Sequence, residues 1–237
     1  MKNQATIRTL YLKIGNLTKI FRTAFLIPVC SFLLIFSGCA TAQYGELKPA
    51  GSVKFEIKKF KLNGMEKDKI LFKTGIDVYG RHLSGIMFVK NLGDSHYRIV
   101  FITEVGMGVF DFELDHGVFT DHGSLDFIKR KMVMKTLQKD LRLMLMEDND
   151  SSAAEIFIEQ FSKRKVYKYK AGNDFNYYFT DENDRLVSIE NSSSSYKNVK
   201  LDYLYSDKNV LQRIIITHYN VDLKLEFIQL ENVGDNE

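Results

Sequence analysis

The sequence predicts an α+β fold, a large curved antiparallel sheet covered by one long and one short helix. Three patterns carry that expectation. Over 70–78 and 221–230 the apolar side chains recur at every second position, the period that sends successive residues to opposite faces of a strand. Residues 125–146 instead space Leu125, Ile128, Met132, Thr136, Leu137, Leu141, Met144 and Leu145 by three and four, which is a helical stripe. Strands come first, helices next and strands again, within one domain over residues 52–232 and a short tail at 233–237.

Ahead of that domain, Ala24 to Gly38 (AFLIPVCSFLLIFSG) is uncharged and mostly apolar, and it follows a segment holding Lys2, Arg8, Lys13, Lys19 and Arg22. A basic region leading into an apolar run is the pattern of an export signal. The run has 15 residues, fewer than the roughly 20 of a membrane-spanning helix, and Pro28 interrupts it. Phe36-Ser37-Gly38-Cys39 then resembles the lipobox of bacterial lipoproteins, with Phe36 where that pattern usually has Leu. The resemblance implies removal of residues 1–38 as a signal peptide and lipid on Cys39, whose acyl chains hold the protein on a membrane. The competing reading is an ordinary export signal cut near Ala42, which discards Cys39. With Ala40 after the cysteine and no acid before Glu46, similarity to known sorting rules implies an outer-membrane anchor facing the periplasm. Residues 39–51, with Gly45, Pro49 and Gly51, read as lipidated cysteine and short tether.

Strands are expected at 53–61, 70–78, 83–90, 95–104 and 107–114, separated by turn signals such as Asn63-Gly64 and Asn91-Leu92-Gly93-Asp94. Ile86 to Val89 and Ile99 to Ile102 are apolar on both faces. The middle of the sheet is therefore expected to be covered twice, the helix over 125–146 packing on its second face with Ser124 as cap. Lys129, Arg130, Lys135, Lys139 and Arg142 fall on the helix's other face, either a solvated face or a ridge for anionic head groups. After a polar break at 147–152, Ser152 and Glu155 have capping-box spacing ahead of Ile156, Phe157 and Phe161, which predicts the short second helix. Alternation resumes over Phe175–Thr180, Leu186–Glu190, Val199–Tyr205, Val210–Tyr219 and Val221–Leu230.

With 237 residues, 45% of them apolar and 27% charged, the chain suits a single folded core. Its formal charge of +3 becomes −2 once the five cations of residues 1–38 are removed, and no basic stripe remains to read nucleic acid. Cys30 and Cys39 are the only cysteines, so the domain has no disulfide, thiolate zinc site or cysteine nucleophile. No nucleophile elbow, zinc-binding His pair, phosphate loop or dinucleotide fingerprint occurs, so no enzyme activity, metal or cofactor is expected. Asp115-His116-Gly117 and Asp121-His122-Gly123 do bring two imidazoles and two carboxylates within nine residues. Six extended residues span about 20 Å, too far for one shared ion, so two turns flanking a short strand explain the triplets better than a metal site. His82, His96 and His218 are scattered over expected strands as surface or packed residues.

With this lipobox and this strand-helix-strand order, residues 53–230 resemble the lipoprotein-localisation (LolA/LolB-like) carrier and receptor fold. That resemblance implies a half-open barrel whose apolar concave face is lidded by helices and takes lipid or lipoprotein acyl chains. Phe72, Phe88, Phe101, Phe110 and Phe112, with Met132 and Leu141 from the lid, are the candidates to line the cavity; ordinary core packing accounts for the same residues. The first expected function is a membrane-anchored binder or transferer of such chains. The alternative is a non-enzymatic accessory subunit of an outer-membrane assembly or transport machine, holding an envelope protein partner.

Overall fold

The computed structural model describes residues 44, 46–54, 60, 69–147 and 153–230. The leader, Cys39, residues 55–59 of the first expected strand, the Asn63-Gly64 turn and the tail lie outside them. The described residues form thirteen strands and one helix: β1 (Leu47–Lys54), β2 (Lys69–Val78), β3 (Arg81–Gly93), β4 (His96–Thr103), β5 (Gly108–Asp115), β6 (Val118–Ser124), α1 (Lys131–Leu145), β7 (Ala153–Glu159), β8 (Lys165–Ala171), β9 (Asp174–Thr180), β10 (Leu186–Ser192), β11 (Lys197–Tyr205), β12 (Leu211–His218) and β13 (Leu223–Gln229).

All thirteen strands belong to one antiparallel sheet, ordered β1-β7-β8-β9-β10-β11-β12-β13-β2-β3-β4-β5-β6. Two hairpin meanders, β2 to β6 and β7 to β13, fuse where the last strand meets the first of the other meander, with Leu225 opposite Ile76 and Phe227 opposite Thr74. β1 adds to β7, Val53 opposite Ala154. Since β1 and β6 end the order without pairing to each other, the sheet is an open half-barrel.

Alternation places the core as expected on β2, where Ile70, Phe72, Thr74, Ile76 and Val78 are all buried. Leu223, Leu225 and Phe227 do the same on β13. α1 lies on this face, burying Leu137, Leu141, Leu143, Met144 and Leu145. Met146 ends it in the left-handed region (φ 61°), and the Glu147 N–H closes the last turn onto the Arg142 carbonyl at 2.8 Å.

The structure corrects several expectations. The short second helix is strand β7, because its backbone pairs on both sides, with β1 and with β8; the capping-box signal is local and loses to those ladders. The long helix begins at Lys131, not near Leu125, and Ser124 does not cap it. Leu125 still bonds sideways to the Val109 carbonyl at 2.9 Å, then a tight turn buries Ile128. β8 has no counterpart among the expected strands, and residues 47–51 of the expected tether belong to β1. The middle of the sheet is not sealed on its second face: Ile86 (39% exposed) and Ile102 (42%) lie opposite each other there, with Phe88 opposite Val100.

Candidate functional site

The apolar face beneath α1 is continuous. Phe101 and Phe110 lie 5.6 Å apart, Phe110 stacks on Phe112 at 4.6 Å, and Phe72 meets Phe227 edge-on at 6.0 Å. Phe72, Phe101, Phe110, Phe112 and Leu141 thus come together in one buried cluster. Two of the expected lining residues do not join them. Phe88 points to the outer face, half-buried beside the Lys69 ammonium at 5.8 Å, while its neighbours Met87 and Val89 point inward. A segment apolar on both faces carries no phase, so alternation alone misassigns it. Met132 sits in the first turn of α1, 61% exposed, with its sulfur accepting the Tyr79 hydroxyl at 3.6 Å. Met87, Met144 and Phe227 take their places in the core.

Polar groups fasten the helix at its flank. Asp140, in the middle of α1, is buried against His218 at the end of β12, with Nε2 3.0 Å from Oδ1. His218 Nδ1 lies 2.9 Å from the Leu223 carbonyl. A carbonyl only accepts, so Nδ1 carries a proton, and the Nε2–Oδ1 contact holds a second one on either side. Burial pushes the Asp140 carboxyl up, offset only in part by His218 and Lys139. Burial opposes the His218 imidazolium, yet the hydrogen bond and charge of Asp140, with the Leu223 carbonyl, raise its pKa above 6.5. The shared proton is therefore held tightly.

This pair borders a cavity of about 230 Å³ whose wall also includes Lys135, Asp174, Tyr196 and Asn220. Lys139 bonds Asp174 at 2.7 Å, Asn198 donates to Asp174 and to Asn191, and Asn191 donates to the buried Asn176 at 2.7 Å. On the expected basic ridge, then, Lys139 is tied to β9, and Arg142 donates to the Gly117 carbonyl at 2.7 Å. Lys129 and Arg130 remain exposed.

The doubled triplet is one turn, not two. Asp115-His116-Gly117 makes the β5–β6 turn, with φ of 44° at His116 and 83° at Gly117, whereas Asp121-His122-Gly123 lies within β6. His116 pairs with Asp115, while His122 pairs with Glu113 at 2.6 Å, so the two imidazoles serve different carboxylates. His96 reaches the other Glu113 oxygen at 2.8 Å, and Arg98 bridges Glu113 and Asp111. The hydrogen bonds from His96 and then His122 hold the Glu113 pKa below its usual range. Sequence spacing hides this cluster, which three neighbouring strands assemble. Among the described residues no group of three His, Cys, Asp or Glu is arranged to hold a metal.

No protein-family profile matches the sequence, nor does any curated relative. Among solved structures, the chain is similar to a domain described as an outer membrane lipoprotein-sorting protein from Vibrio parahaemolyticus, at 11% identity and TM-score 0.52, over 76% of this chain and 91% of that one. A LolA superfamily protein from Nitrosomonas europaea aligns at 10% identity and TM-score 0.44, over 75% and 91%. At these identities it is the first alignment that bears on the fold, and it does so through architecture. The open antiparallel sheet with its helical cover is the LolA/LolB-like half-barrel.

Proposed function

We propose that this chain is a membrane-anchored periplasmic lipoprotein, held by lipid on Cys39 to the outer membrane, that binds or transfers lipid or lipoprotein acyl chains without catalysing a reaction. The observation that carries the reading is the continuous apolar face of Phe72, Phe101, Phe110 and Phe112, covered by the amphipathic helix α1. An acyl chain reaches that face when α1 lifts. Exposing the five buried apolar side chains of α1 costs roughly 8–15 kcal/mol, at about 1.5–3 each. A chain of about fourteen methylenes returns on the order of 11 kcal/mol at ~0.8 each. Measured against a chain in water, the two terms are of the same order, so a bound chain offsets the opening of α1.

Native mass spectrometry of the protein with added phospholipid and acylated peptide tests this reading. Adducts that disappear in a variant with α1 fixed to the sheet support it, and protein that stays empty at saturating lipid rules it out. A second reading, an accessory subunit of an outer-membrane assembly or transport machine, is favoured by the outward apolar pairs Ile86–Ile102 and Phe88–Val100. Co-purification of one stoichiometric envelope protein, lost when Ile86 and Ile102 are changed to Ser, would select it.

A further inference from the structure

Tyr44 and Glu46 fix where the chain enters the domain. The Tyr44 ring stacks on Tyr177 at 4.1 Å, its hydroxyl donates to Glu190, and the Lys197 ammonium lies 5.2 Å over the ring. The Glu46 carbonyl accepts the Gln160 N–H at 3.0 Å, at the turn from β7 into β8. That turn is built around Glu159. Its N–H donates to the Arg164 carbonyl at 2.9 Å, its carbonyl accepts the Lys163 N–H at 3.0 Å, and its carboxylate accepts from Ser162 and Arg164. At the tip, the side chain of Phe161 is 76% exposed, and Lys163 beside it makes no ion pair among the described residues.

A single exposed apolar residue is ordinary. This one sits on a braced turn, next to the Lys163 ammonium, and beside the point where the tether arrives. Glu46 lies seven positions after Cys39, so lipid on that cysteine keeps the turn within about 25 Å of the bilayer at full extension. Arg164 and Lys165 are engaged by Glu159 and Asp184, which among the described residues leaves the exposed Lys163 and, on the adjacent β1, Lys48 to meet anionic head groups. We propose that the β7–β8 turn is a second membrane contact, with Phe161 entering the interface of the same bilayer that carries the Cys39 lipid. The inference rests on the lipid anchor proposed above and adds the orientation of the domain on it.

The chain contains no tryptophan, so single reporters are clean. In the antiparallel ladder the β4–β5 turn lies at the opposite end of the sheet from the β7–β8 turn, and there Val105 is 88% exposed. Mature Phe161→Trp and Val105→Trp proteins, with acylation checked by intact mass, are reconstituted into vesicles of phosphatidylethanolamine with a minority of phosphatidylglycerol brominated on its chains. The expected result is a blue-shifted emission and loss of most fluorescence for Phe161→Trp, with Val105→Trp unchanged. Equal or absent quenching of the two in acylated protein overturns this inference and leaves the anchor standing. A mass without acyl groups overturns both.

Discussion

His218 Nε2 lies 3.0 Å from Asp140 Oδ1, with side-chain exposures of only 3% and 2%, so a proton-sharing pair joins the end of β12 to the middle of the covering helix. Both groups have raised pKa values in the folded chain. A raised value means that the folded state binds more protons than the unfolded state between the two pKa values, so stability falls as pH rises through that window. For His218 the contribution is complete below 6.5 and is lost on passing its folded value; for Asp140 the sign is the same above 3.8.

Thermal unfolding followed from about pH 6 to pH 9 is thus expected to show a falling Tm in the native protein and a shallower fall in His218→Gln. Parallel curves for the two proteins would mean that the pair does not control the slope.

Removing one partner leaves the other buried and uncompensated. His218→Ala and Asp140→Ala are each expected to lose about 3–5 kcal/mol in urea unfolding. The double change Asp140→Leu with His218→Leu replaces the pair by apolar contact and is expected to recover most of that loss. On the proposed reading, in which α1 lifts to admit an acyl chain, apolar contact in place of this pair should slow lipid exchange in the double variant. Recovery of stability with unaltered exchange would dissociate the pair from lid movement.

Phe112→Ala removes a fully buried ring stacked on Phe110, and a cost of about 3–5 kcal/mol is expected. Phe88→Ala should cost about 1 kcal/mol or less, since that ring is half-exposed on the outer face. Equal costs in chemical denaturation would return Phe88 to the core.

These two residues also mark how far the sequence was legible. Phe72 and Phe112 sit in strands whose polar residues alternate with the apolar ones, so direction could be read. Phe88 sits in Ile86-Met87-Phe88-Val89, where both faces are apolar and only the pairing with β2 and β4 chooses between them. Ser152 and Glu155 signalled a helix on local grounds, whereas the strand there is decided by partners about a hundred residues upstream, Val53 opposite Ala154. The Asp140–His218 pair was invisible for the same reason: 78 positions separate its members. His218 was visible only as a lone imidazole, and nothing in the helix distinguished Asp140 from a solvated acid.

Gly85 offers the sharpest test of the β3–β4 pairing from which the half-barrel continues to its edge. A Cβ there would lie 2.1 Å from the Ile102 carbonyl oxygen and 2.7 Å from the Thr103 Cα, and neither is a flexible side-chain end that can swing aside. Gly85→Ala must therefore push the two strands apart, at an expected cost of about 2–3 kcal/mol. Gly75, on the neighbouring β2, is a control with the same change in composition: its Cβ would meet only the His82 Cε1 at 3.5 Å, an ordinary contact. Gly75→Ala should be neutral or stabilise by about 0.5 kcal/mol through the unfolded chain. If urea unfolding shows both substitutions to be tolerated alike, the close backbone approach at Gly85 is not a feature of the folded protein.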